Sequence, residues 1–290
     1  MSEEFVFVGN RRFVLEEMHK LEVNIVKAII VKNSHLEVDL LAGNLPKNIN
    51  YVVINNKSEL IKCLKATNYT TLIANGCPFI LPLESLKKAK YINIHPSYLP
   101  DLRGVDPVIG SILLKRDAGA TCHVMDCKID TGDIISQVCI PFTDDLDVVT
   151  LYQLSFFAER EVFNSSLNVN FQPACAQINT KELVEYKRNE SDWTINFKES
   201  NEKIIQMIKA FNNASQGCRF FIKNQEFKVF LVQKMENPYL KEIVFNFEEG
   251  EVALSYEASV IFHKDGEVLR FSNILSQKTE LKIMQGEFLF

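Results

Sequence analysis

EFVFVG at residues 4–9 and VNIVKAIIV at residues 23–31 are two apolar segments near the start of the chain. Such short apolar segments predict buried strands, and the apolar spacing over Phe13–Leu21 predicts a helix between them. The alternation continues with predicted strands at Tyr51–Ile54, Thr70–Ala74 and Tyr91–His95, and with predicted helices at Lys57–Ala66 and Leu83–Lys90. It predicts an α/β fold, a Rossmann-like and mostly parallel sheet flanked by helices on both faces.

The pattern changes after about residue 180. One amphipathic helix is predicted at Asn201–Phe211, and the turn Lys264-Asp265-Gly266 suits a hairpin. The short strands predicted around them are Arg219–Ile222, Phe227–Val232, Ile243–Phe247, Val252–Ser255, Ser259–Phe262 and Val268–Phe271. We therefore expect a Rossmann-like domain over residues 1–185 and a smaller, mostly β domain over residues 186–290.

Composition places the chain among ordinary globular proteins. It has 290 residues, 47% of them hydrophobic and 24% charged. Seven cysteines without a C-x-x-C pair favour reduced thiols, and neither a signal-like N-terminus nor an apolar run of membrane-spanning length is seen, so we expect a cytoplasmic protein without membrane contact. The net charge of −5 argues against a nucleic-acid partner, because phosphate binding needs a basic face.

The first strand is not followed by a dinucleotide-binding loop. Gly9-Asn10-Arg11-Arg12 stands where G-x-G-x-x-G would be, and a P-loop is absent too. The sequence therefore does not support a dinucleotide or ATP as a ligand. Asn10 and Arg11 fall at a predicted helix N-terminus, where backbone amides attract anions and an arginine can hold a diphosphate. A solvated turn explains them equally well.

Chemistry-bearing residues concentrate in YINIHPSYLPDLRG at residues 91–104 and ATCHVMDCKIDTGD at residues 120–133. Asn93 and His95 are two positions apart on a strand, so their side chains share a face at its carboxyl end. Asp130 lies in the loop after the next strand and can reach His95. A carboxylate beside a histidine fixes the tautomer and stabilises the imidazolium, and Asn93 adds a donor for an oxyanion.

The pattern N-x-H-x-S-x-L-P-x-x-x-G followed by D-T-G resembles the folate-dependent formyltransferases. The matching residues are Asn93, His95, Ser97, Leu99, Pro100, Gly104, Asp130 and Gly132. A looser likeness covers most of the chain through Ile80-Leu81-Pro82, Asp192-Trp193, Ile208–Phe211 and Gly217. The resemblance implies a Rossmann-like catalytic domain, 10-formyltetrahydrofolate as donor, no metal, and Asn93, His95 and Asp130 as the catalytic set.

The same resemblance suggests binding residues. Folate contacts are expected from Phe79, Ile80, Leu81, Cys127, Ile129 and Asp130, and substrate contacts from Asn10, Arg11, Ser97, Tyr98, Arg103 and Gly104. Simpler interpretations remain: Arg103 can form a loop salt bridge, and Phe79–Leu81 can be plain core. Asp133 is expected to stabilise its loop. His123 lies near Cys122 and Cys127 but lacks a full metal-ligand set, so we expect it to line or support the pocket.

Three acceptor amines are compatible with the family. Glycinamide ribonucleotide is disfavoured, because enzymes acting on it resemble only the first domain. Methionyl-tRNA is disfavoured by charge, since residues 181–290 hold 15 Lys and Arg against 17 Asp and Glu. The loop Leu99–Pro107 looks more like the nucleotide-sugar N-formyltransferases, with a dTDP-amino-dideoxyhexose as substrate and a product used in O-antigen or lipopolysaccharide biosynthesis.

Two other classes stay open on the sequence alone. The chain can be a non-catalytic folate- or nucleotide-binding relative, or a hydrolase that acts on formyl-folate. Retention of Asn93, His95 and Asp130 argues against a decayed enzyme. Strands of the second domain allow a homodimer, although no feature of the sequence requires one.

Overall fold

The computed structural model describes residues 3–178, 182–276 and 282–289. The chain divides into two compact units: Met1–Val108, Asp117–Pro141 and Tyr152–Tyr186 form the first, and Ile109–Arg116, Phe142–Leu151 and Lys187–Phe290 form the second. A single domain boundary after residue 185 stays a prediction. Two short segments that precede it, residues 109–116 and 142–151, group with the second unit.

Strands and helices follow one another from residue 5 to residue 168, for the most part in alternation. In chain order they are β1 (Phe5–Gly9), α1 (Arg12–Lys20), β2 (Ile25–Val31), α2 (His35–Leu41), β3 (Tyr51–Ile54), α3 (Lys57–Ala66), β4 (Thr71–Asn75), β5 (Lys90–His95), α4 (Pro107–Leu114), β6 (Ala118–Val124), β7 (Ile134–Ile140) and α5 (Val148–Asn168). Within the described residues β1 to β7 form one sheet in the order β3-β2-β1-β4-β5-β6-β7.

The sheet is parallel from β3 through β5, and β6 and β7 join it antiparallel. Alternate residues of its strands point to opposite faces of the sheet and pack into two separate hydrophobic cores. Phe7 and Ile30 pack with Leu15 of α1 and Phe163 of α5. On the opposite face the strands pack against α3, and Leu60 is buried there. Both faces therefore carry helices, and the predicted α/β class is confirmed.

Local sequence signals define α3. Asn56 is its N-cap, and the side chain accepts a hydrogen bond from the backbone N–H of Glu59 at 3.0 Å. Leu60 and Leu64 lie four residues apart, so they occupy one face of the helix, and both are completely buried. The predicted bounds of α3 and β3 are those observed.

The helix predicted over Leu83–Lys90 is wrong. Only a 3₁₀ turn forms, at Leu83–Ser85, and Leu86 is already extended. Side-chain contacts form here instead: the Tyr91 hydroxyl donates to the carbonyl of Lys87 at 2.6 Å, and Lys87 Nζ donates to the carbonyl of Thr67. Pro82, at the N-cap position, makes no side-chain capping hydrogen bond, and the next strand already starts at Lys90.

The second unit contains the short strands of the C-terminal part. Its elements after residue 200 are α6 (Asn201–Phe211), β8 (Cys218–Ile222), β9 (Gln225–Val229), β10 (Leu231–Lys234), α7 (Pro238–Val244), β11 (Leu254–Tyr256), β12 (Ser259–Lys264), β13 (Glu267–Ser272) and β14 (Leu275–Ser276). Among the residues with described positions they give a four-stranded sheet, β10-β13-β12-β11, and a three-stranded sheet, β14-β9-β8. Both are antiparallel, which confirms the predicted β-rich C-terminal part.

The strand predicted at Ile243–Phe247 is wrong, because the segment overlaps α7. Asn237 caps that helix by accepting a hydrogen bond from Leu240 N at 3.0 Å, and Pro238 follows at the first helical position. This Asn-Pro pair is a helix-start signal, and it outweighs the strand preference of the β-branched residues Ile243 and Val244 that follow it. The hairpin predicted at Lys264-Asp265-Gly266 does form, with Asp265 at φ +49° and Gly266 at φ +73°.

Across the described ranges, none of the helices combines the length and hydrophobicity needed to cross a membrane.

Candidate active site

Asn93 and His95 lie on β5 in the middle of the sheet. The antiparallel register sets Asn93 opposite His123 and His95 opposite Thr121 on β6. His95 is 5% exposed and His123 is 2% exposed. The period of two thus places three polar side chains on one face of two neighbouring strands.

Asp130 connects these side chains. Asn93 Nδ2 donates to Asp130 Oδ1 at 2.9 Å, and the backbone N–H of Gly104 donates to Asp130 Oδ2 at 2.9 Å. His95 Nδ1 lies 3.4 Å from Oδ2, and His123 Nε2 lies 3.4 Å from Oδ1. The structure therefore brings together the three residues predicted to be catalytic and adds His123 as a fourth member.

The environment keeps Asp130 ionised. Burial acts to raise the pKa of Asp130, but the neighbouring imidazoles of His95 and His123 and the hydrogen bond from the Gly104 N–H outweigh it, so the pKa lies well below its usual value. A permanently charged carboxylate at this position can hold an imidazole in one tautomer and stabilise positive charge on it.

His95 is buried enough to be neutral at pH 7. Burial lowers the pKa of His95 below its ordinary value of 6.5, and the negative charge of Asp130 opposes this only in part. Its Nε2 lies 3.0 Å from the carbonyl oxygen of Leu102, so an oxygen faces each ring nitrogen. A neutral imidazole has one N–H, and it can therefore donate to only one of these two oxygens.

Asn93 has both of its side-chain N–H groups engaged. One donates to Asp130, and Nδ2 also lies 3.1 Å from His123 Nε2. His123 Nδ1 lies 2.9 Å from the carbonyl oxygen of Val124. The tautomer that donates from Nδ1 leaves Nε2 free to accept from Asn93. His123 thus orients Asn93, which agrees with the supporting position expected for it.

Gly132 allows the D-T-G loop to close against β6. A Cβ atom at Gly132 would lie 1.8 Å from the carbonyl oxygen of Val124, so no larger residue fits without moving the loop. Gln177 Nε2 donates to the carbonyls of Asp130 at 2.9 Å and Gly132 at 2.7 Å. Sequence reasoning missed Gln177, because nothing in the sequence links residue 177 to residue 130.

The loop after β5 presents the other predicted substrate residues. Ser97 Oγ donates to the carbonyl of Asp101 at 2.9 Å, so it shapes the loop. Arg103 donates from Nη2 to Gln177 Oε1 at 2.6 Å, and Gly104 binds Asp130 through its backbone. Tyr98 is 40% exposed. Arg103 and Gly104 join the Asp130 network, whereas Tyr98 faces solvent.

Arg11 forms a buried ion pair. Its guanidinium hydrogen-bonds to Glu159, whose side chain is completely buried, and lies 5.4 Å from the ring centroid of Phe156. Glu159 also accepts from Ser155 Oγ at 3.1 Å and from Asn75 Nδ2 at 3.0 Å. The cation expected to hold a diphosphate is thus already neutralised. The neighbouring Asn10 has a buried side-chain oxygen for which the structure shows no hydrogen-bond partner.

Predicted folate contacts fall into two groups. Leu81 is buried and Phe79 is half-buried, and both belong to the core on the α3 face. Ile80 is 61% exposed and Ile129 is 51% exposed, while Cys127 is exposed as well. Phe79 and Met125 pack against the same core cluster, so the loops that follow β4 and β6 lie on one face of the sheet.

All seven cysteine thiols are free. Within the ranges described, no group of three or more His, Cys, Asp or Glu side chains is arranged to hold a metal ion.

Stability should depend on pH through His95. The folded state holds a proton on His95 only below pH 6.5, whereas the unfolded chain takes it up near 6.5. Unfolding therefore becomes easier as the pH falls below about 6.5, by at most about 1.4 kcal/mol per pH unit. Urea titrations between pH 7.5 and 5 should show a smaller decline for His95→Gln than for the native chain. Exposed His35→Gln is the control, and equal declines for His95→Gln and the native chain would contradict the assignment.

Two family descriptions match the chain. The first, "Formyl transferase", matches residues 23–167, and the second, "Formyl transferase, C-terminal domain", matches residues 188–289. Together they span both units.

Individual relatives fall into two groups. The methionyl-tRNA formyltransferase of Caldanaerobacter subterraneus subsp. tengcongensis is 25% identical over 237 residues, 81% of this chain and 68% of that protein. Among solved structures, the sugar 3N-formyl transferase WlaRD, in the presence of dTDP and 5-N-formyl-THF, superposes with a TM-score of 0.69, 20% identity, and coverage of 94% of this chain and 98% of that one. The N-formyltransferase of Helicobacter canadensis, in complex with folinic acid and dTDP-3-aminofucose, superposes with a TM-score of 0.68 at 19% identity. The match covers 94% of this chain and 99% of that one. These structures share the fold of this chain.

Proposed function

The chain belongs to the formyl transferase family, and from that premise we propose that it moves the formyl group of 10-formyltetrahydrofolate to the amine of a nucleotide-linked amino sugar. The observation that carries the chemistry is the contact of Asp130 with both Asn93 and His95 at the carboxyl end of β5. Ligands of α/β sheets bind at that end of the strands.

The loops beside this cluster fit a flat aromatic donor. Ile80 and Ile129 expose apolar side chains on the loops that follow β4 and β6. Phe79, in the first of these loops, packs against the core on the α3 face. When bound, 10-formyltetrahydrofolate supplies a formyl group carried on nitrogen. Apolar side chains on two loops next to Asn93 and His95 can pack against its ring and exclude water from the reacting carbon.

In this proposal His95 acts as the proton acceptor. Its lowered pKa makes it neutral at pH 7, and a proton on Nδ1 directed at Asp130 leaves Nε2 as the base. The acceptor amine gives up a proton as it bonds to carbon, and Nε2 takes that proton once the Leu102 carbonyl moves aside. Asp130 stabilises the imidazolium that results. The imidazolium then returns this proton to the folate nitrogen as the bond between that nitrogen and the formyl carbon breaks, so tetrahydrofolate leaves and the amide remains on the acceptor.

Asn93 is the donor for the formyl oxygen. Negative charge develops on that oxygen as the amine attacks, and a positioned amide N–H stabilises it. Because both N–H groups of Asn93 are engaged here, one contact must be exchanged for the substrate oxygen. The contact with His123 is the longer of the two, at 3.1 Å, and is the one we expect to be released.

A compact sugar nucleotide suits this chain better than an RNA. The net charge is −5, and residues 181–290 contain more acidic than basic residues by 17 to 15. RNA binding depends on neutralising many phosphates, whereas a sugar nucleotide carries two. Likeness over 94% of the chain to enzymes crystallised with dTDP or dTDP-3-aminofucose supports the same acceptor class. The product would then serve O-antigen or lipopolysaccharide biosynthesis.

Methionyl-tRNA remains the second candidate, because methionyl-tRNA formyltransferases are among the relatives of this chain, two of them 25% identical over 81% and 84% of its length. A competition assay separates the two. Equimolar dTDP-amino-dideoxyhexose and charged initiator tRNA are mixed with the enzyme and 10-formyltetrahydrofolate, and both products are counted. We expect the sugar to be formylated at least tenfold faster. Preferential formylation of the tRNA would overturn the acceptor while leaving the chemistry in place.

A further inference from the structure

We propose that Gln177 is a positioning residue that holds Asp130 and Arg103 in register at the active site. The inference rests on the proposed formyl transfer at Asn93, His95 and Asp130. Gln177 lies in the segment after α5, more than forty residues from Asp130 in sequence, and no catalytic motif contains it.

One amide bridges two loops. Gln177 Nε2 donates to the carbonyls of Asp130 at 2.9 Å and Gly132 at 2.7 Å. Its Oε1 accepts from Arg103 Nε at 3.2 Å and Nη2 at 2.6 Å. Donor and acceptor of the same side chain therefore tie the D-T-G loop to the loop that follows β5.

The loop after β5 reaches both His95 and Asp130. The Leu102 carbonyl faces His95 Nε2 at 3.0 Å, and Gly104 N donates to Asp130 Oδ2 at 2.9 Å. The segment that carries Gln177 also binds this loop further on, where Leu102 N donates to the carbonyl of Val184 at 2.9 Å. A displacement of Gln177 would therefore alter both contacts of the His95 ring, the one from Nε2 to the Leu102 carbonyl and the one from Nδ1 to Asp130.

Asp130 needs such a restraint. Its backbone adopts φ +51°, in the left-handed region that favours glycine over other residues. A conformation of this kind persists when neighbouring contacts hold it. Gln177 holds the carbonyl of Asp130 itself, and the side chain of Asp130 is the group that contacts His95.

Two substitutions separate the two functions of the amide. Gln177→Glu keeps an acceptor for Arg103 but replaces the donor with a carboxylate oxygen that faces two carbonyl oxygens. Gln177→Met preserves the length of the side chain and removes both the donor to the two carbonyls and the acceptor for Arg103. Gln172→Met, at an exposed site in the same segment, is the matched control.

The two variants should differ in their steady-state kinetic constants. For Gln177→Glu we expect kcat to fall at least about tenfold with KM for the amino-sugar nucleotide within twofold, because only the catalytic geometry changes. For Gln177→Met we expect the same loss of kcat and a raised KM. A purely structural side chain would lower the melting temperature but leave kcat of the folded enzyme unchanged, and that result would overturn the proposal.

An NMR titration of the histidines tests the positioning without turnover. The charge of Asp130 raises the pKa of His95, so loosening Asp130 in Gln177→Met should shift the His95 titration to lower pH. An unchanged titration would count against the proposal. A native enzyme that formylates no amine, combined with the shifted titration, would reject the proposed function while sustaining the role of Gln177.

Discussion

Replacing His95 with alanine is expected to lower kcat/KM for formyl transfer by about a thousandfold, the usual contribution of a positioned acid–base group. His95 lies 3.4 Å from Asp130 and is 5% exposed, and His123, the other imidazole beside Asp130, is engaged with Asn93 and the Val124 carbonyl. Asp130 would also lose its imidazolium partner. Steady-state rates with a dTDP-amino-dideoxyhexose measure the effect.

The control for His95→Ala is His35→Ala, since His35 is exposed at the start of α2. It should keep the native rate. Far-UV circular dichroism of both variants checks that the fold is retained. A His95→Ala enzyme that keeps more than a tenth of the native kcat/KM would show that His95 is not the base.

The second large effect concerns the ion pair of Arg11 and Glu159. Arg11→Met leaves a completely buried carboxylate without its counter-charge, and breaking a buried pair in this way costs about 3–5 kcal/mol. Ser155 and Asn75 still donate to Glu159, but neither carries a charge. Urea unfolding at pH 7 gives the free energy directly.

A double substitution distinguishes a structural Arg11 from a substrate-binding one. In Arg11→Met/Glu159→Leu no buried charge remains, so we expect at least half of the lost stability to return. KM for the sugar nucleotide should stay near the native value in the double variant. A single Arg11→Met variant of native stability with a tenfold higher KM would instead make Arg11 the diphosphate clamp.

The fold was predictable where hydrophobic periodicity and capping agree. Lys57–Ala66 has both an Asn cap and apolar residues at helical spacing, and its bounds were predicted correctly. Ile243–Phe247 shows the reverse, because its apolar residues predict a strand while the Asn-Pro pair before it starts a helix. α2 and α5 were not predicted, since their apolar residues follow no clear single period.

The site was predictable where residues are close in sequence. Asn93 and His95 share one strand, and the spacing alone places them on one face. Asp130 was also expected to reach His95 from the loop after the next strand, and it lies 3.4 Å from it. Other contacts set by strand pairing or by distant segments were not available from the sequence. His123 meets Asn93 through the register of β5 and β6, Gln177 meets Asp130 from beyond α5, and Glu159 meets Arg11 across 148 positions.

The most direct test follows the formyl carbon. Donor labelled with ¹³C in the formyl group is incubated with the enzyme and a dTDP-amino-dideoxyhexose, and the label is located by NMR. The account predicts an amide resonance on the sugar nitrogen that appears as the labelled folate is consumed. Label released as free formate would identify a hydrolase, and label that stays on the folate with every amine would identify a non-catalytic binding protein. Either result would contradict formyl transfer at Asn93, His95 and Asp130.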